Sequence, residues 1–131
     1  MATVELDKSG FEAAISADES FVLVDFWAEW CGPCRQFGPI FERVSAKHPD
    51  ITFGKVDTEQ EQELAAMAGI KSIPTLMMFR DGILLFNQAG AAPESALEDI
   101  IAQARALDMA AIRAELEATA TSAEPDPGKD A

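Results

Sequence analysis

The chain carries two cysteines, Cys31 and Cys34, set two residues apart with Gly32 and Pro33 between them in the stretch WAEWCGPCRQF. Two thiols at this spacing can share a metal, staple the chain, or exchange electrons. A structural zinc site needs four ligands, and beside the two cysteines the sequence offers one imidazole, His48. That leaves only an intermolecular site or a shared iron–sulfur cluster for the metal reading. A staple across so short a loop removes little unfolded-state entropy. The redox couple is the reading that survives.

Thiolates, not thiols, attack disulfides, and a free cysteine titrates near ~8.5, so the anion needs help at neutral pH. A helix N-terminus supplies it through unpaired N–H groups and the macrodipole. Phe21 to Trp27 (FVLVDFW) is a nearly continuous run of β-formers that reads as a buried central strand. Cys34, Phe37, Phe41 and Val44 then recur at helical spacing, so Cys31 falls at a strand-to-helix turn. Pro33 suits a first helical turn, where its missing N–H costs nothing, and Gly32 keeps the approach to Cys31 open. Cys34 lies one turn inside and is expected to be the more buried. Cys31 is therefore read as the attacking thiol and Cys34 as the one that resolves the mixed disulfide.

Other elements must hold this turn in place. Ser9-x-x-Glu12 has the form of a capping box, predicting a helix from Ser9 to Ser16 after a short edge strand at Thr3 to Leu6. Pro39 inside the cysteine helix is expected to kink it. Ile51 to Val56 reads as a strand and Glu59 to Met67 as a helix ended by Gly69. Thr75 to Arg80 and Ile83 to Asn87 flank Asp81-Gly82, a strong hairpin signal. Glu94 to Leu107 places Leu97, Ile100, Ile101 and Ala104 on one helical stripe. The order βαβαβαββα predicts an α/β fold with a mixed sheet. Asp108 is a candidate cap for a further helix with Ile112 and Leu116 on one side, which either docks on the domain or binds a partner; docking is the default. The organisation expected is a domain at 1–107, a helical extension at 108–121 and a disordered tail at 122–131.

Composition narrows the function classes. The 131 residues fit one domain, and 48% hydrophobic content suffices for a core. A formal charge of −13, from 23 acidic against 10 basic residues, disfavours nucleic acid and anionic membranes as partners. MATVELDKSGFE has neither a basic n-region nor an apolar h-region, and no apolar run approaches a membrane span. The expectation is a cytoplasmic protein, where a permanent disulfide is not maintained.

Three further positions attract attention, each with two readings. Asp25 interrupts the apolar run, so its carboxylate is read as buried; it is either a proton acceptor for Cys34 or a carboxylate satisfied by a local hydrogen bond. Lys55 either pairs with Asp25 or is a surface lysine. Ile73-Pro74-Thr75 is either a plain trans strand boundary, which base rates favour, or a purposeful cis bond. Trp27 and Trp30 either pack in the core or face a substrate, with core packing the readier reading for Trp27. His48, in Lys47-His48-Pro49-Asp50, reads as an exposed turn residue without a role.

Val24 to Cys34 (VDFWAEWCGPC) resembles the active-site signature of the thioredoxin family, and the resemblance runs from about Thr3 to Leu107. It includes Pro39, Gly54-Lys55-Val56-Asp57, Gly69 to Thr75, Asp81-Gly82 and Gly90. Arg35 stands where a lysine is common, and the segment from Asp108 onward goes beyond the usual end of the fold. The resemblance implies a thioredoxin fold and reduction of protein disulfides, with Cys31 as nucleophile, Cys34 as resolving thiol, Asp25 as the buried proton-transfer group and Lys55 beside it. It implies that Pro74 is cis and faces the dithiol, that Ile73 and Thr75 offer backbone to an extended substrate, and that Trp30, Gly32, Pro33, Gly90 and Ala91 complete the docking surface. It further implies no bound cofactor; the ligand count argues against a metal, and a monomer is the default expectation. Electrons would come from NADPH through the flavoprotein thioredoxin reductase, and acceptors would resemble peroxiredoxins, methionine sulfoxide reductases or ribonucleotide reductase. Two rivals remain: an oxidase or isomerase, against which Pro33 speaks because oxidising relatives tend to carry histidine there, and a redox-inert binding module that docks through Leu107 to Ala120.

Overall fold

The computed structural model describes residues 2–123. Its elements follow the order β1 (Thr3–Glu5), α1 (Lys8–Ser16), β2 (Phe21–Trp27), α2 (Gly32–Ser45), β3 (Thr52–Asp57), α3 (Gln62–Met67), β4 (Thr75–Arg80), β5 (Ile83–Ala89), α4 (Glu94–Ala106) and α5 (Met109–Ala123). The five strands form one sheet in the order β1-β3-β2-β4-β5. β1, β3 and β2 run parallel, while β4 is antiparallel to β2 and to β5. This is the mixed sheet expected from the sequence.

β2 occupies the centre because both of its faces are apolar. Leu23 packs with Phe37, Phe41 and Val44 of α2, Phe53 of β3, and Leu97 and Ile101 of α4. Val22, Val24 and Phe26 point the other way, onto Phe11 of α1 and Leu64, with Val56, Met77 and Phe79 beside them. The two-residue side-chain period thus divides the core into two layers. It also puts Asp25 on the α2 face, since Asp25 shares the parity of Leu23.

Asp81 and Gly82 both adopt positive φ, at 56° and 80°, which is the geometry of a tight two-residue hairpin turn. They join Arg80 to Ile83, which pair directly. α2 continues through Pro39 without interruption; that position is exposed, so the Arg35 carbonyl that a proline cannot bond faces solvent.

Several sequence readings are corrected. α1 is capped by Asp7 rather than Ser9: Asp7 Oδ1 accepts the Gly10 N–H at 2.7 Å and the helix begins at Lys8. The capping-box pattern at Ser9 and Glu12 lies inside the helix and caps nothing. α3 starts at Gln62, because Glu59 to Glu61 still belong to the turn after β3. α5 passes through Ser122 to Ala123, where a disordered tail was expected; the rest of that tail, 124–131, lies outside the described residues.

His48 is not idle. Its Nε2 lies 2.7 Å from Glu98 and its Nδ1 lies 2.9 Å from the Arg105 guanidinium, while the ring stacks on Phe53. A guanidinium only donates, so these partners select the neutral tautomer with the proton on Nε2. Arg105 also grips Asp50 with two bonds of 2.7 and 2.9 Å and holds its carboxyl down at about 2. The cluster ties the α2–β3 turn to α4. α5 docks through its first turns: Met109 is buried, Asp108 caps Ala111, and Arg113 reaches Asp81 at 2.8 Å. Leu116 is 48% exposed.

Loss of a helix cap of this kind costs about 1 kcal/mol, and exposed substitutions away from such features stay within about 0.5 kcal/mol. Asp7→Ala is therefore expected to lower stability in urea unfolding by about 1 kcal/mol, and Ser9→Ala to leave it nearly unchanged. The reverse order would restore the cap to Ser9.

Candidate active site

The parallel pairing of β2 with β3 brings the C-terminal ends of both strands to one edge, Trp27 beside Asp57. The chain leaving β2 turns through Ala28 to Trp30 and enters α2. The chain leaving β3 folds back so that the Thr58 N–H and hydroxyl donate to the Trp27 carbonyl at 2.9 and 3.1 Å. A third segment, Ile70 to Pro74, arrives ahead of β4. Clefts of α/β sheets form at strand ends of this kind.

Cys31 is the N-cap of α2. Its backbone is extended, and its sulfur accepts the Cys34 N–H at 3.1 Å. Gly32 and Pro33 fill the first helical turn. The two sulfurs are joined as a disulfide, with Cα atoms 5.2 Å apart, so the pair stands here in its oxidised state. The Ile73–Pro74 bond is cis, and the Ile73 carbonyl oxygen lies 3.8 Å from Cys31 Sγ. Pro74 is buried, and its carbonyl accepts the N–H of Gly90, whose φ of +105° favours glycine at that turn.

Burial does not separate the two cysteines as expected: Cys31 is 4% exposed and Cys34 3%. What separates them is the cleft. A depression of about 560 Å³ is lined by Trp30, Cys31, Gly32, Pro33 and Ile73 on the side foreseen, and by Thr58, Glu59, Ala65, Ile70, Lys71 and Ser72 opposite. Cys34 is absent from that lining and packs inward with Ala28. A Cβ added to Gly32 would meet nothing within 4 Å, so the mouth above Cys31 is open.

Trp30 is 67% exposed, and its indole is held by a bond from Nε1 to Glu59 at 3.2 Å. Trp27 is half-buried against the cysteine cluster, with a buried Nε1 that has no partner among the described residues. Thr75 sits inside the sheet between Phe26 and Ala89, and its hydroxyl donates to the Ser72 carbonyl at 2.6 Å. It shapes the 72–75 loop, and the backbone that borders Cys31 is that of Ile73. Gly90 and Ala91 are exposed but lie outside the cleft lining. Thr58, Glu59, Ile70, Lys71 and Ser72 were missed in the sequence; their signal was position, just past the end of β3 or just ahead of Ile73-Pro74.

Asp25 is fully buried, and neither carboxylate oxygen has a hydrogen-bond partner among the described residues. Among the described residues no protein group supplies the local hydrogen bond of the alternative reading. Lys55 stands directly across from Asp25 in the β2–β3 register, half-buried, with Nζ 4.6 Å from the centre of the Trp27 ring. Burial pushes the Asp25 carboxyl up to about 7, Lys55 pulls it partly back, and Glu5 adds to the rise.

A carboxyl raised from 3.8 to about 7 binds its proton more tightly in the folded state. Its stabilising contribution is complete below pH 4 and is lost as pH rises through 7. The oxidised protein is expected to lose on the order of 4 kcal/mol of stability between pH 4 and pH 8 relative to an Asp25→Asn variant. Urea unfolding of both proteins across that range checks it; parallel curves would mean that Asp25 titrates as an exposed carboxylate does.

Comparison with known proteins agrees with this geometry. Residues 2–103 match the family model for thioredoxin. A putative thioredoxin 2 of Streptomyces coelicolor is 57% identical over 111 residues, covering 85% of this chain and 82% of its own. The thioredoxin of Bacillus subtilis is 37% identical over 102 residues, 77% of this chain and 96% of its own. Among solved structures, a mutant thioredoxin from Halobacterium salinarum superposes with a TM-score of 0.74 at 30% identity, over 82% of this chain and 95% of that one. The chain belongs to the thioredoxin family, and its Cys31–Cys34 pair makes it a dithiol–disulfide oxidoreductase that reduces protein disulfides.

Proposed function

We propose that Cys31 attacks and Cys34 resolves. The observation that carries this division is the cleft, which opens on Cys31 and not on Cys34. In the reduced protein the Cys31 thiolate would keep the Cys34 N–H that its sulfur already accepts. It attacks one sulfur of a substrate disulfide, and the other sulfur leaves as a thiolate and takes a proton. The mixed disulfide so formed is broken when Cys34, having lost its proton, attacks Cys31 Sγ. That releases the second substrate thiolate and closes the Cys31–Cys34 bond. Two electrons have passed from the dithiol to the substrate.

Asp25 is the group we assign to the Cys34 proton. It is buried on the α2 face of the sheet, it has no competing hydrogen bond among the described residues, and its carboxyl is raised to about 7, near the pH at which a base must work. Lys55 opposes that rise. The substrate is an extended segment lying along Ile73, with Trp30, Gly32 and Pro33 on its other side and Gly90 and Ala91 at the far rim; cis Pro74 holds the Ile73 carbonyl beside the sulfur. Re-reduction is assigned to an NADPH-dependent flavoprotein thioredoxin reductase, so the chain itself needs no bound cofactor. The acceptors are disulfides of proteins of the peroxiredoxin, methionine sulfoxide reductase or ribonucleotide reductase type, met in the cytoplasm by a monomer. Among the described residues no helix is long and apolar enough to cross a membrane.

Incubation with a small disulfide-bonded protein tests the roles. Cys34→Ser is expected to accumulate a mixed disulfide visible by intact mass, and Cys31→Ser to form none. Both lose NADPH-coupled turnover by on the order of 10³-fold or more. An adduct on Cys34 in the Cys31→Ser protein, formed as fast as the Cys31 adduct, would reverse the assignment. Asp25→Asn is expected to slow resolution by up to about 10²-fold at neutral pH, with the acid limb of the rate profile removed.

A further inference from the structure

Asp25 and Lys55 face each other across β2 and β3, and the same register reaches one strand further. Glu5 of β1 stands directly across from Lys55, as Asp25 does from the other side. In parallel strands, register partners project from the same face. Here that face is fixed independently, because Thr3 of β1, two residues before Glu5, bonds Glu42 of α2 at 2.6 Å. Glu5, Lys55 and Asp25 therefore form a row of alternating charge beneath α2, running from the exposed sheet edge to the buried carboxylate.

Asp57 stands two residues beyond Lys55 on the same face of β3, opposite Trp27, and borders one depression with Glu5; its Oδ1 accepts the Glu59 N–H. Glu42 is occupied by the Thr3 hydroxyl and the Ala2 N–H. Arg43, further along α2, is committed to Glu94. Across β4 the partner of Asp25 is Leu76, which carries no charge. Lys55 is the cation that draws the Asp25 carboxyl down, and Glu5 adds to burial in raising it.

We propose that Glu5 is a positioning residue for the proton-transfer step: its carboxylate shares the Lys55 ammonium with Asp25 from the far side, so that Asp25 never receives a full counter-ion. A buried carboxylate given that whole charge would stay ionised to lower pH and would be a poorer acceptor for a thiol proton. One given none would stay protonated through neutrality. Glu5 sets the balance between the two from the surface, where its own charge costs little. This rests on the assignment of Asp25 as the Cys34 proton acceptor.

The spacing makes the proposal testable with salt. Adjacent strands lie ~4.8 Å apart, so the Glu5 and Asp25 backbones are separated by about 10 Å, close to the Debye length at 0.1 M salt and well beyond the ~3 Å at 1 M. The Asp25 titration is followed by carboxyl ¹³C NMR on the full oxidised chain, alongside the pH dependence of mixed-disulfide resolution. Glu5→Gln is expected to move the Asp25 titration down by about 0.3 to 1 pH unit at low salt, and the acid limb of the rate profile with it. At 1 M salt the difference is expected to vanish, and Glu5→Asp to retain the wild-type titration. An unmoved or upward-moved titration in Glu5→Gln overturns the inference, as does a shift that persists at 1 M salt, which would mark a change of structure rather than of field. A titration that moves while the rate profile does not would leave the charge row standing and sink the role of Asp25 as acceptor.

Discussion

The bond from the Cys34 N–H to the Cys31 sulfur organises everything else at this site. It exists because Cys31 is the N-cap of α2 and not a residue within it, and that follows from where β2 ends. The first amides of a helix have no partners of their own. A sulfur placed among them is held in position when oxidised and favoured as an anion when reduced. The strand that delivers it is buried on both faces, so its end cannot drift: Leu23 is clamped by α2 and α4, Val24 and Phe26 by α1 and α3. The rigidity of the core is thereby passed directly to the reacting atom.

The same burial creates the site's second asset. A carboxylate on a central strand is costly, and among the described residues Asp25 has no hydrogen bond to offset that cost, nor is it exposed to solvent. A fold selected for stability alone would place an apolar residue there, as it does at Leu23 on the same face. What the carboxylate contributes is a proton affinity near neutrality, next to a helix whose N-terminus carries the dithiol. Stability and proton transfer pull in opposite directions at this one residue, and the stability lost as pH rises from 4 to 7 is the same free energy that makes Asp25 a base.

Much of this was legible in the residues, and the reasons differ by element. The run Phe21 to Trp27 announced a central strand because burial on both faces removes alternation. Asp81-Gly82 announced its turn because positive φ at two successive positions admits few residue types. The cap of α1 was misread because Ser9 and Glu12 fit a pattern that Asp7 satisfied first, and local patterns do not say which of two nearby caps the backbone geometry reaches. His48 was misread for a different reason. Its partners, Glu98 and Arg105, lie some fifty residues away, and nothing in its neighbours Lys47 and Pro49 points to them. The far wall of the cleft was missed similarly: Thr58 and Glu59 become part of the site only once β3 lies beside β2.

That parallel pairing also explains why the oxidised cysteines can be equally buried and yet unequal. Accessibility of a whole residue is a poor measure of reactivity when attack needs only one line of approach to one sulfur. Cys31 has such a line, because Gly32 contributes no side chain over it and Ile73 borders it with a carbonyl, while the exposed indole of Trp30 is drawn aside onto Glu59. Cys34 has none from outside, because it points beneath α2 toward Ala28 and the core. The one sulfur able to reach it is already bonded to it. An incoming substrate thus meets Cys31 first, and Cys34 becomes reactive only toward the bond that Cys31 has just made.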